Sequence, residues 1–224
     1  MIVLDGVSHA FDGRPVLADL SLTLDEHRIG VVGANGSGKS TFARLLNGLV
    51  LPSAGRVLVD GIDTRRDPKA ARRRVGFVFQ NPDHQIVMPI VAEDLAFGLK
   101  PRGLGKAEIA TRVDAALARY GLSHLRDRPV HQLSGGEKQL IALSAVLVLE
   151  PELLVMDEPT TLLDLRNRNR LAEAVAALPE PAVVVTHDLD FIAGFDRVLM
   201  IEDGRLAADG LPAEVLPFYR ERMR

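Results

Sequence analysis

Cysteine is absent from the 224 residues, which excludes a disulfide framework, a thiolate nucleophile and a cysteine-based zinc site. That absence is compatible with a cytoplasmic setting. An excess of positive charge is also missing. The formal net charge is −3, so a broad nucleic-acid footprint, which shows as a basic domain, is not expected. Long apolar runs are lacking too. The longest uncharged stretch, Gln139 to Leu149, falls well short of the ~20 residues that span a bilayer, and Glu150-Pro151-Glu152 breaks it. The start, Met1-Ile2-Val3-Leu4-Asp5, has neither the basic residues nor the apolar core of a signal peptide. Internal repeats and low-complexity tracts are not found. What remains is 47% hydrophobic, ordinary for a soluble globular protein. The length suffices for one large domain or one domain with an inserted subdomain.

Gly33-Ala34-Asn35-Gly36-Ser37-Gly38-Lys39-Ser40 matches the pattern G-x-x-x-x-G-K-[ST] without a mismatch. Its glycines let the backbone turn several N–H groups towards one point, and the helix starting near Lys39 adds its positive end. The loop from Asn35 to Ser40, with Thr41 following, is therefore expected to hold the phosphates of a nucleoside triphosphate. Lys39 would reach the β- and γ-phosphates, and the Ser40 hydroxyl would ligate Mg²⁺.

Segments 2–5, 19–24, 28–32, 56–59 and 75–79 read as strands, as do 153–157, 182–186 and 197–201. Helical spacing covers 92–99, 106–119 and 136–149, and helices are expected at 164–177 and 188–193. Apolar strands alternating with helices predict an α/β fold with a mainly parallel sheet covered on both faces. The change of character from Asp83 to about Leu149 reads as an inserted helical subdomain. Three apolar strands end in chemically able residues: 28–32 in the phosphate loop, 153–157 in Asp157-Glu158, and 182–186 in His187. In a parallel sheet these ends share one edge, where ligands bind in open α/β folds.

Asp157 is placed to hold Mg²⁺ opposite Ser40. Glu158 can orient or deprotonate an attacking water, against the alternative of a solvated or helix-capping carboxylate. His187 can contact the γ-phosphate and fix Glu158, or simply cap the helix that follows. Gln80 can reach Mg²⁺ or the lytic water from another strand end, or serve as a polar turn residue before Asn81-Pro82. Leu133-Ser134-Gly135-Gly136-Glu137 opens a helix with Ser134 as N-cap and glycines leaving N–H groups exposed. This second phosphate-binding device sits in the helical insert. A head-to-tail pair of chains would let Ser134, Gly135 and Gly136 of each serve the partner's ATP.

In order and spacing, Gly33–Ser40, Gln80, Leu133–Glu137, Leu154–Glu158, Asp164 and His187 resemble an ABC-type ATPase over essentially the whole chain. The resemblance implies a P-loop NTPase, RecA-like, with a mainly parallel core (1–82 and 151–224), an antiparallel β edge and an inserted helical subdomain (83–150). It implies an ATP sandwich dimer that closes on ATP, with Asp164 at the nucleotide interface. It also puts Phe11 where the family stacks an aromatic on adenine, with Val16 beside it; packing in the core is the other reading of Phe11. The sequence departs from the family's pattern in two places. Glu137 stands where Gln is commoner, and Leu162 stands where Gly is usual.

The chain has no coiled-coil arms, no second cassette, no basic face and no membrane helices, which leaves a separate subunit docked beneath membrane proteins. Gln80-Asn81-Pro82-Asp83-His84-Gln85 closely resembles the Gln-loop and short helix of ATPases from energy-coupling-factor (ECF) importers of vitamins and cobalt or nickel ions. Asp83 is expected to cap that helix. Ile86–Val91 offers apolar surface to a transmembrane subunit, unless it is core. The resemblance implies a homodimer or heterodimer of ATPase subunits, an integral membrane transmembrane subunit and a substrate-binding membrane subunit. It also implies a peripheral position on the cytoplasmic face of the membrane, with biotin the favoured cargo. The alternative is a soluble ABC ATPase acting as a dimerisation switch. The P-loop alone would also permit a small-molecule kinase, against which Leu133–Glu137 speaks. Arg65-Arg66 and Arg72-Arg73-Arg74 read as a solvated turn and helix face, with an approach to anionic lipid as the other option.

Overall fold

The computed structural model describes residues 1–224. Its strands are β1 (Ile2–Phe11), β2 (Arg14–Leu24), β3 (Arg28–Val32), β4 (Ala54–Val59), β5 (Ile62–Asp63), β6 (Val75–Val78), β7 (Leu153–Asp157), β8 (Ala182–Val185), β9 (Arg197–Glu202) and β10 (Arg205–Gly210). Its helices are α1 (Lys39–Leu46), α2 (Pro68–Arg74), α3 (Val91–Phe97), α4 (Lys106–Arg119), α5 (Gly135–Leu147), α6 (Leu165–Ala176), α7 (Leu189–Ile192) and α8 (Pro212–Arg222). They form two compact units. The first holds Met1–Phe77, Glu152–Glu158 and Glu180–Arg224; the second holds Val78–Pro151 and Pro159–Pro179.

The first unit is built on two sheets, ordered β2-β1-β4-β5 and β10-β9-β3-β8-β7-β6. Strand β3 runs parallel to β8 and β9, and β7 runs parallel to β8. Every residue of β3 and β8 is buried, as a parallel sheet covered on both faces requires of uniformly apolar strands. Register puts Val31 beside Val185 and Val185 beside Asp157, so the three strands end level with one another. Helix α1 covers this sheet through Phe42, Leu45 and Leu46, each almost fully buried and worth about 1.5–3 kcal/mol of burial.

Strands β1 and β2 run longer than their apolar patterns indicate, meeting across the turn at Asp12-Gly13. Bulges explain the interrupted pattern: the register shifts between Leu4 and Val7 and again between Val7 and His9, with Gly6 and Asp19 at φ of 58° and 54°. Strand β10 and helix α8 add elements beyond those expected. Helix α8 is anchored by buried Val215 and Leu216 and by the ion pair of Arg222 with Glu202 at 2.7 Å.

In the second unit α5 is the central element, apolar nearly all round, and α3, α4 and α6 pack on it. The buried Asp94 carboxylate accepts the N–H groups of Val87 and Met88 at 2.8 and 2.9 Å, pinning the segment before α3. Val87 and Pro89 remain exposed there, Ile86, Met88 and Ile90 are half-buried, and only Val91 at the end of the run belongs to the core. The short turn at Pro82–His84 is capped by Asn81, which accepts the Asp83 N–H, rather than by Asp83 itself. Asp83 is exposed and takes Lys138 Nζ at 2.7 Å instead. Within the first unit, the basic cluster is partly engaged. Asp67 caps α2, Arg72 donates to the Gly48 carbonyl, and Arg74 pairs with Glu152.

Candidate functional site

The phosphate loop follows β3 directly and leads into α1. Gly33 is required by close approach, since a Cβ there would lie 2.1 Å from the Ile201 carbonyl oxygen of β9. The Lys39 ammonium is folded back onto the loop, donating to the Gly33 and Ala34 carbonyls at 2.7 and 2.9 Å. Burial lowers its pKa, against the opposing pull of Glu158 and then Asp157. Asn35 and Gly36 are exposed at the loop's tip, while Ser37 is buried with its hydroxyl unpartnered. Thr41 is half-buried on the first turn of α1.

Ser40 Oγ donates to Asp157 Oδ1 at 2.9 Å, joining the start of α1 to the end of β7. Burial raises the Asp157 pKa most, opposed by the Ser40 hydrogen bond and by Arg44, whose guanidinium lies 3.8 Å away. Glu158 comes next in the chain and turns elsewhere. Its φ is 49°, a left-handed conformation uncommon for a residue with a side chain, and its N–H is held by the Val185 carbonyl at 2.8 Å. Glu158 Oε2 accepts the His187 backbone N–H at 3.2 Å and meets the His187 ring Nδ1 at 2.7 Å. A proton on Nδ1 leaves Nε2 of this exposed ring free to accept. Two adjacent carboxylates thus have separate partners: Asp157 a hydroxyl, Glu158 an imidazole.

An open cleft of about 300 Å³ beside the loop is lined by Pro15, Val16, Leu17, Ala18, Gly36, Asp203 and Gly204. Phe11 is 47% exposed, so the core reading of this residue fails, and its ring meets His9 edge-on at 4.5 Å between centroids. Gln80, Ser134, Gly135, Gly136 and Asp164 belong to the second unit. Gln80 is exposed after β6. Ser134 caps α5 in a reciprocal box: its hydroxyl accepts the Glu137 N–H, and Glu137 Oε2 accepts the Ser134 N–H and hydroxyl at 2.8 Å. These bonds lower the Glu137 pKa. Gly135 is exposed, whereas Gly136 is buried against Asn167. Asp164 caps α6 by accepting the Asn167 N–H at 2.8 Å.

Three residues near the loop escape sequence reasoning. Arg44 carries a findable signal, standing one helical turn after Ser40. Asp203 carries one as well, since Asp203-Gly204 is the residue pair of a tight hairpin turn with both residues at positive φ, whereas Tyr219 carries none, standing on a helix that contains two prolines and buries a narrow stripe.

The donors around Ser40 and Asp157 are hard oxygens, the chemistry magnesium prefers, and no cluster of three or more His, Cys, Asp or Glu competes to form a protein cage. A buried carboxylate beside a hydroxyl therefore fits an ion that takes its other ligands from phosphate and water.

The family model described as "ABC transporter" matches residues 17–161. A Deinococcus radiodurans protein provisionally described as an ABC transporter ATP-binding protein is 66% identical, over 100% of this chain and 99% of its own length. The biotin transport ATP-binding protein BioM of Rhizobium etli is 53% identical over 98% of each chain. The energy-coupling factor transporter ATP-binding protein EcfA1 of Symbiobacterium thermophilum is 46% identical over 96% of this chain and 80% of its own. Among solved structures, cbiO1 of Clostridium perfringens, part of the ABC transporter complex cbiONQ, superposes with a TM-score of 0.87. It is 33% identical, and 99% of this chain and 93% of that chain are covered.

Proposed function

This chain belongs to the ABC transporter family, and from that premise we propose that it is the ATP-hydrolysing subunit of an ECF-type membrane importer. Uptake of a micronutrient is the reading favoured by its similarity to BioM, EcfA1 and cbiO1, with biotin ahead of cobalt or nickel ions. One observation carries the catalytic part: Ser40 meets Asp157 at 2.9 Å while the neighbouring Glu158 engages His187.

In this reading the loop N–H groups from Asn35 to Thr41 hold the phosphates, and Lys39 reaches the β- and γ-phosphates. Ser40, Asp157 and Gln80 hold Mg²⁺, which when bound neutralises charge on the phosphate oxygens. Glu158 accepts a proton from the attacking water, and His187 fixes that carboxylate and reaches the γ-phosphate. Phe11 stacks on adenine, with Val16 on the cleft wall beside it. Ser134, Gly135 and Gly136 act on the ATP of a second ATPase subunit, identical or closely related, with Asp164 at the same interface. The exposed Leu162 and Leu165, 60% and 74% accessible, provide apolar surface for that subunit beside Asp164.

No helix is long and apolar enough to cross a membrane. Peripheral attachment to the cytoplasmic face, through a transmembrane subunit and a substrate-binding membrane subunit, therefore completes the proposal. The exposed Val87 and Pro89 supply the docking surface.

Two experiments test it. Glu158→Gln should bind ATP yet hydrolyse it roughly 10²–10⁴-fold more slowly; normal turnover would remove Glu158 from the role of base. Tagged protein pulled down from detergent-solubilised membranes of its source should bring integral membrane subunits, identified by mass. Charged substitution at Ile86 or Val87 should lose them. Recovery of soluble partners alone would overturn the importer reading.

A further inference from the structure

His9 stands on β1 two residues before Phe11, and the two rings meet edge-on with their centroids 4.5 Å apart. Phe11 is exposed, whereas His9 is buried. The His9 Nδ1 lies 2.9 Å from the Leu51 carbonyl oxygen. A carbonyl only accepts, so Nδ1 carries the proton and Nε2 the lone pair. That Nε2 is buried without a partner. An unpartnered acceptor in the interior weakens a fold, so packing alone would favour an apolar side chain here. What the imidazole adds is a ring fixed in orientation at its Nδ1 end and touching the exposed Phe11. The Leu51 segment is itself tied down. Ser53 donates its N–H to the Ser8 carbonyl at 2.8 Å and accepts the Ala10 N–H on its hydroxyl at 3.1 Å. One residue before Leu51, the Val50 N–H returns to the Arg44 carbonyl of α1 at 3.1 Å. A continuous set of bonds therefore runs from α1 through Leu51 and His9 to the Phe11 ring.

We propose that His9 is a positioning residue for the base-stacking ring: held by the Leu51 carbonyl, its imidazole keeps the Phe11 side chain set for adenine. This rests on reading Phe11 as the adenine platform. An exposed aromatic side chain loses rotamer freedom when a base stacks on it, and a ring already restrained loses less. Edge-to-face pairs attract beyond the area they bury, which supplies the restraint. Because Leu51 follows α1, the ring is also fixed relative to the helix that the phosphate loop opens. The base and the phosphates of one nucleotide thus meet a common frame. His9 touches neither in this scheme. It acts through Phe11 alone, so its contribution belongs to the base and not to the phosphates.

The test is calorimetric titration of the full chain with two ligands, a non-hydrolysable ATP analogue and inorganic tripolyphosphate, each with Mg²⁺. The second carries the phosphates without a base. His9→Leu should weaken the analogue roughly three- to tenfold, the worth of a restrained aromatic pair. Tripolyphosphate should change by less than about twofold, as expected of a site that His9 does not reach. His9→Gln keeps a donor for the Leu51 carbonyl and loses only the ring, so it should show the same selective loss if leucine does not fold. His9→Phe keeps a ring beside Phe11 and loses the donor; it should bind the analogue more tightly than His9→Leu. On a Phe11→Ala background, His9→Leu should alter analogue affinity by less than about twofold. Equal losses for both ligands, an undiminished loss on the Phe11→Ala background, or His9→Phe no better than His9→Leu would mean general packing and overturn the inference. Wild-type affinity for the analogue in His9→Leu or His9→Gln, beside a weakened Phe11→Ala, overturns it alone. A Phe11→Ala variant that keeps its full preference for the analogue over tripolyphosphate overturns the adenine reading, and the inference with it.

Discussion

Gly136 is the position where the helical unit has no room for one more carbon. A Cβ there would lie 2.1 Å from Asn167 Cγ, 2.5 Å from its Oδ1 and 2.6 Å from its Cβ. Rotation of the Asn167 side chain removes the first two contacts but not the third, because Cβ is fixed to the α6 backbone. Replacing Gly136 by alanine therefore forces α5 and α6 apart, an overpacking cost in the upper half of the usual range, about 2–3 kcal/mol, because the surviving 2.6 Å contact is to an atom fixed to the backbone. Alanine's better helix propensity returns at most ~1 kcal/mol, so the clash wins and the net loss is about 1–2 kcal/mol. For a chain of this size that lowers Tm by about 2–8 °C. Gly135 supplies the internal control: a Cβ there meets only the Leu162 carbonyl, at an unstrained 3.6 Å. Gly135→Ala should leave Tm within about a degree of wild type. Differential scanning calorimetry of both variants, with Gly136→Ala also placed on Asn167→Ala and Asn167→Gly backgrounds, decides the matter. Asn167→Ala should rescue partly, because the 2.6 Å contact survives, and Asn167→Gly more fully. Equal Tm changes at the two glycines would refute the reasoning.

Burial raises the Asp157 pKa, so its ionised form is disfavoured by folding, and stability from this group is lost as pH rises through the folded value. Asp157→Asn should accordingly raise the Tm of the nucleotide-free protein at neutral pH while weakening Mg²⁺-dependent ATP binding. A lower Tm at neutral pH would count against the charge-burial argument. Glu137 has the opposite sign. Its pKa is lowered below the ordinary 4.5 by the Ser134 N–H and hydroxyl, so its contribution is present above that value and lost as pH falls through the folded one. The Tm difference between wild type and Glu137→Gln should shrink on acidification below about pH 4.5; a difference that grows there would reverse the assignment. Phe11→Ala should cost about 1–3 kcal/mol in ATP affinity, judged from base–aromatic stacking, with little change in Tm because the ring is half exposed. Unaltered titration with ATP would remove it from the adenine site.

Much of the site was legible because its residues stand at the ends of uniformly apolar strands. Strands β3 and β7 and helix α4 have the bounds read from the sequence, since runs such as Leu153–Asp157 stop abruptly at charged or glycine-rich residues. The first hairpin extends beyond its legible pattern because the bulges at Gly6 and Asp19 interrupt its alternation. Strand β10, Arg205–Gly210, offers only Leu206 among small and charged residues, too little contrast for a period of two. Helix α8 contains Pro212 and Pro217 and buries only a narrow stripe, so its pattern resembles a tail. Tyr219 was invisible for that reason alone. Asn81 is the cap in place of Asp83 because the turn begins at Pro82, two residues earlier than a cap at Asp83 would set it, and the fixed φ of proline suits the first position.

The same strand edge brings together four departures from good local structure. Ser37 carries a buried hydroxyl without a partner, Asp157 is a buried carboxylate, and Glu158 holds a left-handed backbone. Lys39 turns its charge onto carbonyls of its own loop. Each is unfavourable alone, and natural folds concentrate such conflicts where a ligand resolves them. A polyphosphate with a divalent cation resolves three of the four at once: acceptors for Ser37, an anion for Lys39, a cation for Asp157. The fourth, the Glu158 backbone, is untouched by nucleotide, because its cause lies in the protein. The left-handed turn separates two consecutive carboxylates, sending one to the Ser40 hydroxyl and the other to His187. A β-strand alternates its side chains between opposite faces by itself, but only while its residues remain in the sheet. Glu158 lies one residue past the end of β7, where the turn makes that separation. Relieving the strain with Glu158→Gly would therefore remove the carboxylate and the geometry together, which is why the strained residue cannot be the glycine its backbone favours.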